Sequence, residues 1–220
     1  SYNQIDYVYD IAQLLDQKQM SPVTVIGHSL GGSISLLYTA LYPDRVSKLV
    51  AIEGMGPPPS MIKERMGQSM SQRLHDWMDG IRKSSGRLVR RYPTLEEAFQ
   101  RMQAENPHLS EDQARHLTIH GSNQNEDGTY SWKFDNYVRN FAPIGVPFDE
   151  VGKLLGDITC PTLLVRGLES WASDPIADGR TKAFNCPLEV EAFAGAGHWV
   201  HHDQLERFVA RVKQFLGTST

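Results

Sequence analysis

A glycine-rich stretch contains the serine that is best placed for chemistry. Residues 27–32 read G-H-S-L-G-G, which includes the pattern Gly-x-Ser-x-Gly around Ser29. The stretch follows a β-branched run at 22–26, typical of a buried strand, and precedes apolar residues at helical spacing in 34–41. In this context the pattern predicts a nucleophilic serine at a sharp turn. An ordinary serine in a glycine-rich turn is the less specific alternative, and a phosphate loop fits worse because no lysine follows the glycines.

The same turn predicts how the backbone around Ser29 is arranged. We expect strained backbone angles at Ser29, with Gly27 and Gly31 allowing the strand and the helix to approach each other. The backbone N–H of Leu30 would then lie at the helix N-terminus, facing the negative charge that develops on a substrate oxygen. The sequence therefore predicts Leu30 as a donor of the oxyanion hole.

His198 is the base that the sequence predicts. A serine hydroxyl is a poor nucleophile until a base takes its proton. His198 follows a candidate strand at 188–193 and stands just before the last helix, within Gly-His-Trp at 197–199. His201 and His202 are alternatives by proximity alone, and a metal cluster of these histidines lacks acidic partners at a suitable spacing.

The composition limits the classes of function. The 220 residues suffice for one core with an insertion. A net charge of −4 without a basic stripe argues against nucleic acid and anionic membranes as partners. With no membrane-spanning apolar run and no visible signal peptide, a cytoplasmic location is expected. Cys160 and Cys186 are too few for a disulfide scaffold and are expected as free thiols.

Strands alternate with helices on both sides of a segment whose residue composition is different. This segment, 60–156, is charged and amphipathic, with capping-box patterns at Thr94 and Ser110, and is predicted to be a mainly helical insertion. The flanking predictions are helices at 5–15, 175–184 and 205–216, and strands at 22–26, 45–53, 162–165 and 188–193. Such alternation predicts an α/β fold with a mostly parallel sheet covered by helices on both faces.

These residues resemble the α/β-hydrolase family over essentially the whole chain, most closely its serine hydrolase-like branch with a helical lid. The resemblance is carried by residues 27–32, 160–165 and 197–199. It implies a first part of the core at 1–59, a helical lid at 60–156 over Ser29 that sets specificity, and a second part of the core at 157–220.

In this family the core normally opens with several strands, followed by a helix and then the sharp turn that carries the nucleophile, called the elbow, which is residues 27–31 here. This chain begins at that helix. The resemblance therefore implies that the N-terminal part of the core is absent and that the chain is a fragment of a longer hydrolase. The strand at 22–26 would then lack a neighbour, so poor solubility and little activity are expected.

The acid of the expected triad departs from the family pattern. Most members carry aspartate where this chain has Ser170, and a serine cannot stabilise an imidazolium. Glu53 ends a strand at the place where haloalkane dehalogenases and their relatives carry their acid, and an unpaired carboxylate in that apolar strand end would be unfavourable. Glu53 is therefore the first choice, Asp174 the second and Glu169 the third.

The resemblance and the residues together predict a serine hydrolase acting on a small or medium carboxylic ester or related acyl compound. Ser29, His198 and Glu53 would act through an acyl-enzyme, without a metal or an organic cofactor. A carbon–carbon bond hydrolase or thioesterase with the same triad, and a catalytically silent hydrolase-like binding protein, remain alternatives. A small-molecule acyl substrate is the expected partner, and the oligomeric state is left open.

Overall fold

The computed structural model describes residues 2–85, 89–140 and 148–218, except the side chains of Arg139, Phe148 and Asp149. In chain order its helices and strands are α1 (Gln4–Lys18), β1 (Val23–His28), α2 (Leu30–Leu41), β2 (Val46–Ile52), α3 (Pro59–Gly67), α4 (Met70–Ser85), α5 (Leu95–Glu105), α6 (Glu111–Gly121), β3 (Ser122–Gln124), β4 (Tyr130–Trp132), α7 (Phe148–Leu155), β5 (Thr162–Gly167), β6 (Leu188–Phe193), α8 (Val200–Asp203) and α9 (Leu205–Leu216). The chain divides into two compact units. We call Asn3–Ser69 with Ile144–Thr220 the sheet unit, and Ser1–Tyr2 with Met70–Pro143 the helical unit.

In its described residues, the sheet unit contains four parallel strands in the order β1-β2-β5-β6. The predicted parallel α/β arrangement is confirmed. Since neighbouring strands run in the same direction, their carboxyl ends meet at one edge of the sheet. That edge is formed by the residues that follow His28, Ile52, Gly167 and Phe193, and loops at such an edge are the usual place for a binding site in open α/β sheets.

Helices cover both faces of this sheet. Alternate residues of a strand point to opposite faces, so Leu49 and Ala51 join one buried cluster with α1, α2 and α7, and Val50 and Ile52 join another with α8 and α9. The second cluster includes Phe215, which lies on the apolar face of the amphipathic helix α9. Both cysteines of the chain are free thiols, as predicted.

The helical unit is built around the pair α5 and α6, followed by the antiparallel hairpin β3–β4. Its buried cluster consists of Phe99, Leu109 and Ala114. The predicted cap at Thr94 accepts a hydrogen bond from the Glu97 N–H, and α6 begins with a reciprocal capping box between Ser110 and Gln113. Within the described ranges, no helix combines the length and apolar character that crossing a bilayer requires.

The prediction of a helix at 175–184 is wrong. The structure has turns there and a short 3-10 helix at Arg180–Ala183. Gly179 has a φ of 82°, in the left-handed region, which interrupts a right-handed helix. The Arg180 guanidinium, with a side chain only 9% exposed, pairs with Asp178 and donates to the Met55 carbonyl at 2.7 Å. These contacts tie the loop after β5 to the loop after β2.

Candidate active site

Ser29 lies at the apex of a sharp turn between β1 and α2. Its backbone angles, φ 54° and ψ −118°, are outside the regions that side-chain-bearing residues normally adopt. The turn is held to the neighbouring strand: the Ser29 N–H donates to the carbonyl of Ile52, the last residue of β2, at 2.8 Å. The predicted strand, sharp turn and helix are therefore present, and the strained backbone presents the serine side chain at the carboxyl edge of the sheet.

Two glycine contacts bring the elements of this turn together, but they are not quite the predicted ones. A Cβ at Gly27 would lie 2.4 Å from the Gly31 carbonyl oxygen, so β1 and α2 approach through Gly27. A Cβ at Gly31 would meet nothing within 4 Å in the described part of the chain, so the spacing role expected for Gly31 is wrong. Gly32 has it instead, because a Cβ there would lie 3.1 Å from the Gly27 carbonyl oxygen, and also 2.7 Å from Cα of Gly54 in the loop after β2.

His198 lies in the loop between β6 and α8, with its ring next to Ser29. Its Nε2 is 2.8 Å from Ser29 Oγ. Its backbone carbonyl accepts a 2.7 Å hydrogen bond from His28 Nε2, and the preceding Gly197 N–H donates to Asp203 at 2.8 Å. The backbone of the loop is therefore anchored both before and at His198. One of the two anchors is His28, the residue that precedes Ser29.

Glu53 follows β2 directly and completes a hydrogen-bonded series. Its carboxylate Oε2 lies 3.2 Å from His198 Nδ1, and its side chain is fully buried, at 0% exposure. The same oxygen accepts a 2.5 Å hydrogen bond from Ser170 Oγ, and Oε1 accepts one of 2.7 Å from the Gly167 N–H. Burial opposes the charged form, but the hydrogen bonds from His198, Ser170 and Gly167 together hold the pKa of Glu53 below its usual value.

The two other candidate acids are placed elsewhere. Asp174 accepts from Arg166 at 3.2 Å through Oδ2 and from the Ile176 N–H at 2.8 Å through Oδ1. Glu169 is exposed on the same loop. Of the three carboxylates considered from the sequence, the structure brings Glu53 to His198.

The two other histidines of this region, His201 and His202, form a series of neighbouring rings that begins at His28. The His201 ring lies 4.6 Å from the His28 ring and 4.5 Å from the His202 ring, centroid to centroid. Burial lowers the pKa of His201 to about 4 and also lowers that of His28, so both rings are neutral at pH 7. Across the described residues, no group of three or more histidine, cysteine and acidic side chains is arranged to hold a metal ion.

Leu30 is the first residue of α2, and its N–H belongs to the group of donors that a helix leaves without an internal acceptor. The positive end of the helix dipole lies at the same position. A negatively charged oxygen near Ser29 Oγ therefore meets a favourable local field. Hydroxyl, imidazole and carboxylate in series can remove a proton from the serine and return it to a leaving group.

Sequence reasoning missed three contributors to this site. His28 supports the loop that carries His198, Ser170 donates to Glu53, and Trp171 lies with its ring 5.4 Å from the His198 ring while remaining 58% exposed. His28 and Ser170 stand at positions that the motif and the family pattern single out, so their types were visible in the sequence. Their contacts were not, because they join residues that are far apart in the chain.

Comparison with known proteins agrees with this architecture. The family model described as "alpha/beta hydrolase fold" matches residues 1–205. The chain is 25% identical over 181 residues to the serine hydrolase-like protein of Danio rerio, covering 82% of this chain and 52% of that protein. It is 25% identical over 215 residues to a 2-hydroxy-6-oxononadienedioate/2-hydroxy-6-oxononatrienedioate hydrolase of Burkholderia vietnamiensis, covering 94% and 66%. Over 215 residues it is also 25% identical to esterase YbfF of Escherichia coli, covering 94% and 72%.

The chain thus spans about half to two thirds of the length of the first two of these relatives. A hypothetical protein from Pseudomonas aeruginosa has a similar structure, with a TM-score of 0.81 at 22% identity over 100% of this chain and 76% of that one. That similarity shows the fold. With the family match over residues 1–205 and this fold, the chain belongs to the α/β-hydrolase family.

Proposed function

We propose that this protein is a serine hydrolase that cleaves a small or medium carboxylic ester, or a related acyl compound, through an acyl-enzyme. One observation carries the proposal: Ser29 Oγ, the His198 ring and the Glu53 carboxylate form a continuous series, with contacts of 2.8 Å and 3.2 Å. The three residues come from three different loops at the carboxyl edge of one sheet. Such convergence of nucleophile, base and acid is what acyl transfer requires.

In the first half of the reaction, Ser29 Oγ attacks the substrate carbonyl carbon as His198 Nε2 takes the hydroxyl proton. The carbonyl oxygen gains a negative charge, to which the Leu30 N–H at the start of α2 donates a hydrogen bond. Glu53 holds the imidazole through Nδ1 and stabilises the positive charge that the ring acquires. His198 then passes the proton to the leaving alcohol as the carbon–oxygen bond breaks.

In the second half, a water molecule replaces the alcohol beside His198. The imidazole takes a proton from this water, whose oxygen attacks the acyl carbon, and returns the proton to Ser29 Oγ as the acid product leaves. The His198 imidazole therefore acts first as base and then as acid in each half, so the proposal involves no further proton donor.

The names of the relatives support ester cleavage and one alternative. The relative YbfF is named an esterase, and its similarity covers 94% of this chain. The Burkholderia vietnamiensis relative is named as the hydrolase of an oxo-dioate, and its similarity also covers 94% of this chain. This name favours cleavage of a carbon–carbon bond next to a carbonyl as the second candidate function. Both reactions use the same attack on a carbonyl carbon, so the substrate distinguishes them.

A fluorophosphonate probe followed by mass spectrometry tests the proposal directly. We expect the probe to modify Ser29 and to abolish hydrolysis of p-nitrophenyl esters. A parallel panel of simple esters, acyl thioesters and vinylogous 1,5-diketones decides between the ester, thioester and carbon–carbon alternatives. A folded protein that neither reacts with the probe nor hydrolyses any member of the panel would instead be a silent binding protein.

A further inference from the structure

The hydroxyl of Ser170 takes part in the site without touching the reacting atoms. We propose that Ser170 is a positioning residue that holds the carboxylate of Glu53 in the orientation needed to contact His198. The inference rests on the proposed function, since it assigns a task to Ser170 within the same triad. It adds a fourth side chain, from the loop after β5, to the three that the proposed mechanism uses.

The carboxylate of Glu53 is held at both oxygens. Oε1 accepts the Gly167 N–H at 2.7 Å, and Oε2 accepts the Ser170 hydroxyl at 2.5 Å. Oε2 is also the oxygen that lies 3.2 Å from His198 Nδ1. Ser170 therefore acts on the same atom as the imidazole, and its hydrogen bond is the shorter of the two contacts.

The direction of the Ser170 hydroxyl is itself defined. The Ala172 N–H donates to Ser170 Oγ at 3.2 Å, so this oxygen is an acceptor on one side. An ionised carboxylate has no proton to donate. The single hydroxyl proton of Ser170 therefore points to Glu53, which gives a charge-assisted hydrogen bond of fixed polarity.

The position of Glu53 explains why such a donor is needed. Its side chain is fully buried, and an ionised group in that situation must be satisfied by hydrogen bonds. Its backbone has a φ of 51°, in the left-handed region, so the side chain leaves the strand end in an uncommon direction. With Ser170 removed, the donors that remain on this carboxylate among the described residues are the Gly167 N–H and the imidazole, which leaves the carboxylate plane less well defined.

A double-mutant cycle tests whether Ser170 acts through Glu53. The variants are Ser170→Ala, Glu53→Gln and the double variant, with kcat/KM measured on p-nitrophenyl acetate. Loss of a hydrogen bond to a charged group is expected to lower kcat/KM roughly ten- to a hundredfold, mainly in kcat. In the Glu53→Gln background, Ser170→Ala should change kcat/KM by less than about twofold. Independent, multiplicative losses would overturn the proposal, as would an unaffected Ser170→Ala variant.

Two variants on the same loop separate positioning from general damage. Ser170→Thr retains the hydroxyl and should recover most of the activity lost in Ser170→Ala. Ser173→Ala is the matched control, since the Ser173 hydroxyl donates its hydrogen bond to Asp178, at 2.6 Å, and not to Glu53. We expect Ser173→Ala to remain within about twofold of the unaltered protein. A loss in Ser173→Ala equal to that in Ser170→Ala would overturn the assignment.

A spectroscopic measurement keeps the inference independent of turnover. A proton shared between His198 Nδ1 and Glu53 gives a far-downfield resonance in proton NMR, identified by its disappearance in Glu53→Gln. This signal should broaden or vanish in Ser170→Ala and persist in Ser170→Thr and Ser173→Ala. If the protein hydrolyses no ester but shows this pattern, the proposed function fails and the positioning role stands. If the signal is unchanged in Ser170→Ala, the positioning role fails whatever the activity.

Discussion

His28, the residue directly before the serine of the elbow, donates a 2.7 Å hydrogen bond from Nε2 to the backbone carbonyl of His198. Because a carbonyl oxygen can only accept, this contact fixes the protonated nitrogen of His28. The two residues are 170 positions apart in the chain. Their contact joins the turn that holds Ser29 to the loop that holds His198, and so helps to set the 2.8 Å separation between Ser29 Oγ and His198 Nε2.

Replacement of the serine is the most direct test of the proposed nucleophile. Ser29→Ala should lower turnover of an ester by roughly 10⁴-fold or more, because no other group would form the acyl-enzyme. Steady-state kinetics and fluorophosphonate labelling measure the effect, with Ser47→Ala, an exposed serine on β2, as the control. Near-normal hydrolysis by Ser29→Ala would contradict the assignment.

The choice of acid can be tested with two isosteric variants. Glu53→Gln should lower kcat by up to about 10⁴-fold, because an amide neither stabilises the imidazolium nor selects the same tautomer. Asp174→Asn should have an effect within about twofold, since this partly exposed carboxylate pairs with Arg166. Pre-steady-state and steady-state rates on one ester substrate provide the comparison. The opposite order of effects would transfer the role to Asp174.

The two glycines of the motif should respond in opposite ways to alanine. Gly27→Ala places a Cβ 2.4 Å from a backbone oxygen and from Ser35 Oγ, so we expect a loss of about 1–3 kcal/mol in unfolding free energy, or failure to fold. In Gly31→Ala the added Cβ enters open space. Residue 31 lies in α2, where alanine is more favourable than glycine by about 1 kcal/mol of unfolding free energy. Urea denaturation of both variants measures the difference, and equal destabilisation would contradict this reading of the elbow.

Acid should destabilise the protein through His201. Its pKa is lowered from 6.5 to about 4 in the folded state, so the unfolded chain binds a proton first as pH falls. The contribution of His201 to the free energy of unfolding is therefore fully present above pH 6.5. It is lost progressively between about pH 6.5 and 4, by at most about 3 kcal/mol. Burial of His28 lowers its pKa as well and acts in the same direction.

Removing the titrating group isolates this contribution. His201→Phe should flatten the dependence of unfolding free energy on pH between about 6.5 and 4. His116→Phe, a change at an exposed position of α6, serves as the control and should leave the slope as it was. Chemical denaturation across this pH range measures both, and an unchanged slope in His201→Phe would show that other groups carry the dependence.

The lid at 60–156 stays a prediction with a functional test. Replacing this segment by a shorter lid should change the preference among p-nitrophenyl esters of increasing acyl length, because lids select substrates by shape and by exclusion of water. Labelling of Ser29 by the fluorophosphonate probe should remain intact. An unchanged preference across the series would argue against a role of the segment in specificity.

The sequence by itself determined the local features of this protein. Strand, sharp turn and helix around Ser29 are encoded within about twenty consecutive residues, so their signals needed no distant partner. The alternation of apolar strands and amphipathic helices likewise indicated the parallel sheet, because burial on both faces selects apolar runs. The spacing of Ser110 and Gln113 in the sequence marked the start of α6 for the same local reason, and the structure has the corresponding capping box.

The tertiary structure decided the features that depend on distant contacts. Glu53 and Asp174 both followed core strands, and the contact between Glu53 and His198 emerged only from the course of the loops after β2, β5 and β6. The closely approaching glycine proved to be Gly32 rather than Gly31, since Gly54 comes from another loop. Residues 175–184 lack a long helix because Gly179 adopts a left-handed angle and Arg180 is drawn to the Met55 carbonyl. Local pattern indicates which residue types are present, whereas packing across the sheet edge decides which of them meet.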